Sequence, residues 1–170
     1  MKIEDNFLEQ KKFNELQTLM MGTKLDWHYN DSIDSKNDKN KFQFFHYFYL
    51  VAAPCSPNFN DIKPIFEKIE PISLARIKAN LLTKTPNIVE NEFHVDMDFM
   101  SKKQQNQWTT SIFYINTNNG YTKFEDGTKV ECVANRMITF PSNLKHRGTS
   151  CTDEKTRVVI NFNYFSDREP

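Results

Sequence analysis

The stretch "FHVDMDFM", residues 93–100, places a histidine and an aspartate two positions apart. The alternation of apolar and polar residues predicts a β-strand over residues 92–97, in which His94 and Asp96 share one face and Val95 points the other way. An imidazole and a carboxylate that project together can bind one metal ion. Because His-x-Asp also arises by chance, its meaning depends on what the rest of the chain supplies.

The composition predicts one folded domain with no general affinity for nucleic acid. The chain has 170 residues, of which 38% are hydrophobic and 15 are phenylalanines, and its formal net charge is zero. A neutral chain has no bulk electrostatic attraction to DNA, RNA or an anionic membrane surface. We therefore expect nucleic acid to be a less favoured partner than a protein, a peptide or a small molecule.

The sequence also predicts a cytoplasmic protein without a membrane segment. No apolar run is long enough to cross a bilayer, and the charged N-terminus lacks the apolar core of a signal peptide. The three cysteines are scattered and none has Cys-x-x-Cys spacing. Neither a zinc knuckle nor a disulfide framework is indicated, which favours a reducing compartment.

Hydrophobic periodicity in the N-terminal part predicts two helices separated by one aromatic strand. The first helix follows Asn6 and Glu9, which have capping-box spacing, and ends near Gly22. Residues 30–41 form a polar loop, and residues 42–53 predict a strand buried on both faces. The second helix, which ends before a proline, has an apolar stripe of Ile62, Ile65, Phe66 and Ile69.

From about residue 74 onward the pattern changes to short apolar runs separated by turns. "NNG" at 118–120 and "EDG" at 125–127 predict hairpin-type turns. The polar run at 101–107 predicts a surface connection without secondary structure, serving either as a substrate-binding lid or as an ordinary loop. Two helices followed by a series of strands predict an α+β domain, a β-sandwich or barrel with the helices laid on one sheet.

A third metal ligand and a carboxylate-binding group lie further along the chain. His146, the only histidine after His94, follows a predicted strand in "RMITFPSNLKHRG". Two histidines and one carboxylate leave open positions on a metal, the arrangement expected for non-haem Fe(II) oxygenases. Arg157 opens the strand "RVVINFNYF", and a guanidinium binds a carboxylate through two parallel hydrogen bonds. Tyr114 could add a phenol hydrogen bond.

These elements resemble the 2-oxoglutarate- and Fe(II)-dependent dioxygenases. The resemblance is closest to the prolyl-hydroxylase-like branch and its small phage-encoded members, and it runs from about Arg76 to the C-terminus. Five elements occur in the order typical of the family: "HVD", "SIFYIN", "NGYTKF", "ITFPSNLKHRG" and "TRVVINF".

The resemblance implies a fold and a set of site residues. The expected fold is a double-stranded β-helix, or jelly roll, with the N-terminal helices packed on one sheet. Fe(II) is expected on His94, Asp96 and His146. 2-Oxoglutarate would chelate the iron through its keto acid and place its far carboxylate on Arg157 and Tyr114, with O2 in the last position. The reaction implied is hydroxylation of a C–H bond with conversion of 2-oxoglutarate to succinate and CO2.

The resemblance also implies one dioxygenase domain over residues 1–170. Residues 1–73 would provide helical and edge-strand support, and residues 74–170 would form the jelly-roll catalytic core.

Two positions depart from the family pattern, and three others are candidates for lining the pocket. Val159 stands two residues after the arginine, where many members carry serine or threonine, and Asn119 replaces the first glycine of a Gly-Gly turn. Arg76, Lys78 and Asn80 alternate with apolar residues on the strand before the metal motif, and we expect Asn80 to contact the co-substrate.

Three functions remain compatible with the sequence. The first is hydroxylation of a peptidyl residue such as proline. The second is oxygenation of a nucleobase or a small molecule, for which a nucleic-acid enzyme should show a basic groove with stacking aromatics. The third is a non-catalytic jelly-roll binding module with a vestigial ligand set. Asp98 is interpreted as a loop-edge acid or a substrate contact and not as a metal ligand.

Overall fold

The computed structural model describes residues 1–33 and 41–167. The strands are β1 Lys2–Glu4, β2 His28–Asn30, β3 Gln43–Leu50, β4 Ala53–Pro54, β5 Ser73–Thr83, β6 Thr109–Tyr114, β7 Tyr121–Phe124, β8 Lys129–Glu131, β9 Arg136–Pro141, β10 His146–Gly148 and β11 Thr156–Phe165. The helices are α1 Gln10–Met21, α2 Lys63–Ile69 and α3 Lys102–Gln105, with a 3-10 helix at Pro57–Ile62.

The strands form two antiparallel sheets. The large sheet has eight strands in the order β1-β9-β6-β11-β5-β3-β2, with β4 paired to β3, and the small sheet has the order β10-β7-β8. The sheets pack face to face, because Phe124 and Val130 of the small sheet share an apolar cluster with Ile112, Ile138 and Phe140 of the large one. This strand-rich architecture with few helices agrees with the predicted α+β jelly-roll class.

Helices α1 and α2 cover the opposite face of the large sheet. Phe13 and Leu16 of α1 and Ile65 of α2 belong to the same buried cluster as residues of β5, β6 and β11 such as Ile77, Phe113 and Ile160. One face of the large sheet is therefore closed by helices, and the other is left to face the small sheet. No helix in the described part of the chain is long and apolar enough to cross a bilayer.

The first helix has the predicted apolar face but not the predicted cap. Phe13, Leu16 and Met20 are buried, and the helix stops at Gly22 as expected. The capping box is wrong: Glu9 is the N-cap without a side-chain hydrogen bond, and Asn6 has a left-handed backbone with φ of 52°. Asn6 lies outside the helix because its own backbone conformation turns the chain before the helix begins.

Strand β3 is shorter and less deeply buried than predicted. It ends at Leu50 and turns into β4, whereas the sequence predicted one strand over residues 42–53. His46 and Phe48 are buried toward the helices, while Phe45 and Tyr47 are only half buried. These two pair directly with Asn80 and Lys78 of β5, so they share the face that looks toward the small sheet.

Of the predicted polar loop 30–41, residues 34–40 lie outside the described residues.

The turn between β3 and β4 contains two residues with an unfavourable backbone. Val51 and Ala52 connect the paired residues Leu50 and Ala53, and their φ values are 52° and 59°. A two-residue turn with positive φ at both positions is the type that favours Asn-Gly. Val51 is also 84% exposed, so its side chain gains little from packing.

Replacing Val51 with asparagine and Ala52 with glycine should therefore stabilise the protein. We expect the free energy of unfolding to rise by about 1–2 kcal/mol. Asparagine tolerates a positive φ better than a β-branched valine, and glycine removes a β-carbon that costs roughly 1–2 kcal/mol there, although its greater freedom in the unfolded chain offsets part of the gain. Urea unfolding measures the change. Ala53→Gly, in the adjacent strand, is the control and should lower stability by about 0.5–1 kcal/mol. A double variant less stable than the wild type would contradict the strained turn.

The two glycine-containing turns have different roles. "EDG" closes the β7–β8 hairpin as predicted, with Gly127 at φ of 92°. "NNG" is not a hairpin: residues 118–120 carry the chain from β6 in the large sheet to β7 in the small sheet. Both turns place a glycine after polar residues, so their sequences look alike. Only the pairing partners of the flanking strands distinguish them.

The polar run at 101–107 is exposed, as predicted, but it is not devoid of secondary structure. It forms α3, whose N-terminus has a capping box between Ser101 and Gln104. Gln105 is buried and its Nε2 donates to the carbonyls of Met97 and Met100, at 2.9 and 3.1 Å. These bonds tie α3 to the loop that follows Asp96.

Candidate metal centre

The segment carrying His94 and Asp96 is not the regular strand that the sequence predicted. His94 forms an isolated bridge with His146, in which each backbone N–H donates to the other carbonyl at 3.0 Å, and residues 96–99 form a turn. Residues directly opposite each other across such a bridge project to the same side. The bridge therefore brings the two histidines together although no continuous strand forms there.

A network of charged side chains holds this segment against the small sheet. Glu90 accepts a hydrogen bond from the Tyr121 hydroxyl at 2.7 Å and forms ion pairs with Lys123 at 3.1 Å and Arg147 at 2.5 Å. Arg147 lies 4.0 Å from the centre of the Phe93 ring. The Tyr121 hydrogen bond is the main cause of a lowered pKa of Glu90. These contacts reinforce the backbone hydrogen bonds of the same segment, among them Asn91 N–H to the Gly148 carbonyl at 3.1 Å and a β-bridge between Glu90 and Thr149.

The three predicted ligands lie within reach of one metal ion. His94 Nε2 is 3.8 Å from Asp96 Oδ1, and His146 Nε2 is 4.0 Å from Asp96 Oδ2. One ligand atom from each residue lies within 4.8 Å of the others. Ligands at about 2.0–2.2 Å from a shared metal are separated by roughly 3–4 Å, so small side-chain movements suffice to bind an ion.

The backbone directs the same nitrogen of both histidines toward this point. His94 Nδ1 lies 3.1 Å from the carbonyl of Glu92, and His146 Nδ1 lies 3.1 Å from the carbonyl of Leu144. A carbonyl only accepts, so in the neutral ring Nδ1 carries the proton and Nε2 keeps its lone pair. Burial lowers the pKa of His146, which favours this neutral form. Its Nε2 is buried and has no hydrogen-bond partner.

Asp96 is held by residues of the large sheet. Arg76 Nη2 lies 3.1 Å from one carboxylate oxygen, and Asn163 Nδ2 donates to the other at 3.1 Å. Arg76 also donates to Asn163, and Asn163 to Thr110, so β5, β11 and β6 support one carboxylate. Burial by itself raises the pKa of Asp96, but attraction to the Arg76 guanidinium lowers it below its usual value. The carboxylate is therefore ionised and available to a cation.

Asn163 was not selected from the sequence, although a signal for it exists. It has the same strand parity as Arg157, six residues earlier on β11, and therefore faces the same side of the sheet. Its role depends on the contact with Asp96, which sequence spacing alone does not reveal.

A cavity of about 320 Å³ extends from the three ligands to Arg157. Arg76, Lys78 and Asn80 all line it, so the strand alternation was predicted correctly although the sequence favoured only Asn80. The Asn80 Oδ1 atom is buried without a hydrogen-bond partner. Asp98 lines the same cavity from an exposed position in the turn after Asp96.

Arg157 is a buried cation at the far end of this cavity. It is 4% exposed, and its Nη2 lies 3.3 Å from the Thr122 hydroxyl. Its Nε has no partner, and no carboxylate of residues 1–33 or 41–167 forms an ion pair with it. A β-carbon on Gly120 would lie 2.8 Å from Arg157 Cδ, and one on Gly148 would lie 3.3 Å from Nη1. The two glycines therefore make room for the guanidinium.

Tyr114 contacts both Thr122 and Arg157 at the Arg157 end of the cavity, and its ring centre lies 5.8 Å from the guanidinium carbon. Its hydroxyl is fully buried and donates to Thr122 Oγ1 at 2.8 Å. Burial raises the pKa of Tyr114, so the phenol stays protonated and remains a donor. Thr122 and Val159 line the cavity together with Arg157, whereas Tyr114 is not among the lining residues. The hydroxyl missing at Val159 is thus supplied next to Arg157 by Thr122.

Comparison with known proteins relates this geometry to a fold. No family model and no curated protein matches the sequence. A prolyl hydroxylase from Trichoplax adhaerens, solved with a hypoxia-inducible-factor peptide, superposes with a TM-score of 0.68 at 13% identity, covering 96% of this chain and 82% of that one. A viral collagen prolyl hydroxylase from Paramecium bursaria Chlorella virus-1, solved with 2-oxoglutarate, gives 0.61 at 14% identity, covering 98% and 96%.

A third similar structure is not a prolyl hydroxylase. The α-ketoglutarate-dependent epimerase SnoN of nogalamycin biosynthesis gives a TM-score of 0.68 at 10% identity, covering 99% of this chain and 79% of that one. Identities this low relate folds and leave the individual reactions open. The chain therefore has the fold of the 2-oxoglutarate- and Fe(II)-dependent oxygenases.

Proposed function

We propose that this protein is an Fe(II)- and 2-oxoglutarate-dependent dioxygenase that hydroxylates a C–H bond. The observation that carries the proposal is the arrangement of one cavity. His94, Asp96 and His146 converge at one end, and Arg157, a buried cation that has no counter-ion among the described residues, lies at the other. A metal-chelating keto acid with a second carboxylate matches both ends at once.

The donor set fits Fe(II). Two neutral imidazoles and one ionised carboxylate form the ligand group typical of non-haem Fe(II) oxygenases. The buried, unpartnered Nε2 of His146 is the sign of a missing ligand, since buried polar atoms normally have partners. When bound, Fe(II) with 2-oxoglutarate supplies the activation of O2 that oxidises a substrate C–H bond and releases succinate and CO2.

The protein's own residues would orient the co-substrate. Arg157 binds the far carboxylate, and the Thr122 hydroxyl donates a further hydrogen bond because its oxygen already accepts from Tyr114. Asn80 lines the same cavity, and we expect its Nδ2 to donate to the co-substrate, whose carboxylate and keto oxygens only accept. Arg76 and Asn163 keep Asp96 oriented for the metal.

The two packed sheets support the finer topology expected for this function. We assign them to a double-stranded β-helix, in a single domain over residues 1–170. Residues 1–73 support the catalytic core at 74–170, because the helices and the strands of the large sheet share one apolar cluster. Division into separate domains would expose this cluster to solvent.

A peptidyl residue such as proline is the substrate class that we favour. One of the similar structures is a prolyl hydroxylase with a peptide bound. In this chain a second, open cavity of about 770 Å³ adjoins the first, with Val95 and Asp98 lining both. A groove that continues from the metal site suits an extended chain of which one residue enters the inner cavity.

Formation of succinate tests the proposed function. The purified protein, supplied with Fe(II), O2 and 2-oxoglutarate, should produce succinate. Proline-containing peptides, free amino acids and nucleosides are then added in separate reactions, and the rate of succinate formation should rise in the reaction that contains the prime substrate. Asp96→Ala is the matched control and should produce none above background. Failure of the wild-type protein to bind or consume 2-oxoglutarate under these conditions would refute the proposal.

A conservative change at Tyr114 should weaken co-substrate binding slightly. In Tyr114→Phe, Thr122 loses the hydrogen bond that orients its hydroxyl, so the KM for 2-oxoglutarate should rise about fivefold, the equivalent of roughly 1 kcal/mol for one hydrogen bond. Iron binding should not change. Steady-state kinetics at saturating Fe(II) measures the effect, and a KM rise as large as that of Arg157→Ala would show a direct contact instead.

A further inference from the structure

The cavity contains a cation that the proposed co-substrate contacts do not use. Lys78 lies in the middle of β5, and its half-buried side chain lines the cavity. Within residues 1–33 and 41–167, no carboxylate forms an ion pair with its ammonium group. The ammonium lies 5.3 Å from the centre of the Phe45 ring and 5.7 Å from that of Tyr47.

The position of Lys78 separates it from the carboxylate held by Arg157. Arg157 pairs with Leu82 across β11 and β5, whereas Lys78 lies four residues earlier on β5, roughly 13 Å along the strand. The rings of Phe45 and Tyr47 belong to β3, on the side of β5 away from β11. The ammonium therefore leans away from the line that joins the metal ligands to Arg157.

The charges of a loaded site leave Lys78 unneutralised. Fe(II), Arg76, Arg157 and Lys78 together carry five positive charges, whereas Asp96 and the two carboxylates of 2-oxoglutarate carry three negative ones. Asp98, exposed at the edge of the cavity, adds a fourth, so one positive charge remains without a counter-charge. Arg76 keeps its hydrogen bonds to Asp96 and Asn163. Burial of a lone cation is costly, and it lowers the pKa of Lys78 to about 8, with a further contribution from Arg76. An anion entering the cavity would remove this cost.

We propose that Lys78 binds a carboxylate of the prime substrate and thereby positions its reactive C–H bond near the metal ligands. The inference rests on the proposed oxygenase function and adds the chemical class of the substrate. A single ammonium matches a singly charged group, and the Oδ1 atoms of Asn80 and Asn161, buried without hydrogen-bond partners among the described residues, can accept from a substrate N–H beside that carboxylate. The rings of Phe45 and Tyr47 hold the ammonium in place.

The carboxylate could belong to an acidic side chain beside the oxidised residue or to a free C-terminus. A cavity of about 320 Å³ is at the low end of the range for small-molecule sites, so with 2-oxoglutarate bound it can admit only one side chain or terminal group. Both sources present the same chemistry to Lys78, and matched peptides distinguish them.

Calorimetry on protein loaded with Mn(II) and 2-oxoglutarate tests the inference without turnover. Three probes are compared: acetyl-Ala-Pro-Asp-amide, acetyl-Ala-Pro-Asn-amide and acetyl-Ala-Pro with a free carboxylate. The wild type should bind at least one carboxylate probe about tenfold or more tightly than the Asn probe, since a hydrogen bond between charged groups replaces a neutral one. Preference for the Asp probe indicates a side chain, and preference for the free acid indicates a terminus.

Two lysine variants separate a substrate role from other roles. Lys78→Met keeps an unbranched apolar stem and should abolish the preference while leaving the affinity for 2-oxoglutarate unchanged. Lys129→Met is the control, because Lys129 also lies over an aromatic ring, 4.4 Å from the centre of Tyr121, but outside this cavity. It should keep the preference.

Three results would overturn the inference. They are no preference for either carboxylate probe in the wild type, an undiminished preference in Lys78→Met, or a tenfold weaker binding of 2-oxoglutarate in Lys78→Met, which would make Lys78 a co-substrate residue. Failure of the proposed function is a separate result, because the wild type would then not bind 2-oxoglutarate at all.

Discussion

Asp96→Ala is expected to abolish binding of Fe(II) and all succinate production. The variant removes the only carboxylate of the ligand group, and the two remaining imidazoles carry no charge to balance a divalent ion. Loss of a residue that merely supports a ligand typically costs 10–100-fold in metal affinity, so loss of the ligand itself should cost more. His94→Ala and His146→Ala should have the same effect, because each removes one of three protein ligands.

Two controls distinguish loss of a ligand from loss of the fold. Asp98→Ala removes an exposed carboxylate two residues away and should leave metal binding intact. Thermal unfolding of the metal-free Asp96→Ala protein measures the separate cost of leaving Arg76 without its partner.

Metal binding is measured anaerobically with Fe(II) and repeated with Mn(II) and Co(II), since such ligand groups discriminate poorly among divalent metals. One equivalent of bound metal in folded Asp96→Ala would show that Asp96 is not a ligand.

The three side chains that converge in the structure could be selected from the sequence although the local structure was predicted incorrectly. The strand expected over residues 92–97 is reduced to one bridge between His94 and His146. Strand pairing depends on a partner far away in the chain, and here the partner, β10, is only three residues long. The two histidines nevertheless meet because one bridge suffices to set them side by side. The choice of these three residues depended on the order of motifs and not on strand length, so it does not change with the missing strand; their role as ligands stays a prediction.

Residues that act through tertiary contacts could not be found in this way. Thr122 lies on the small sheet and meets Arg157 of the large sheet across the cavity, so no sequence spacing relates them. Gly120 was seen as a turn residue, whereas in the structure its missing side chain leaves space for Arg157. Ser101 and Gln104 have capping-box spacing in the sequence, but the run of polar residues suggested a loop, so the short helix was not predicted.

Arg157→Ala is expected to raise the KM for 2-oxoglutarate by about 30-fold to several thousand-fold with iron binding unchanged. Removing one partner of a buried, hydrogen-bonded charge pair costs roughly 2–5 kcal/mol, and 1.4 kcal/mol corresponds to a factor of ten. Arg157→Lys should recover only part of the loss, because an ammonium cannot form two parallel hydrogen bonds with one carboxylate. Arg136→Ala, which breaks an ion pair with Asp5, is the control and should leave the KM within about twofold.

The same arginine should have the opposite effect on the protein without its co-substrate. Arg157 is buried, and among the described residues it has no counter-ion and no hydrogen-bond partner for its Nε. Removing its charge from water on folding therefore costs free energy that no ion pair offsets. Arg157→Met, which keeps most of the volume, should therefore unfold at the same urea concentration as the wild type or a higher one when 2-oxoglutarate is absent. Added 2-oxoglutarate should stabilise the wild type and not the variant. Strong destabilisation of Arg157→Met without co-substrate would instead assign Arg157 a structural role, because a guanidinium that serves only to bind the co-substrate should not stabilise the co-substrate-free protein.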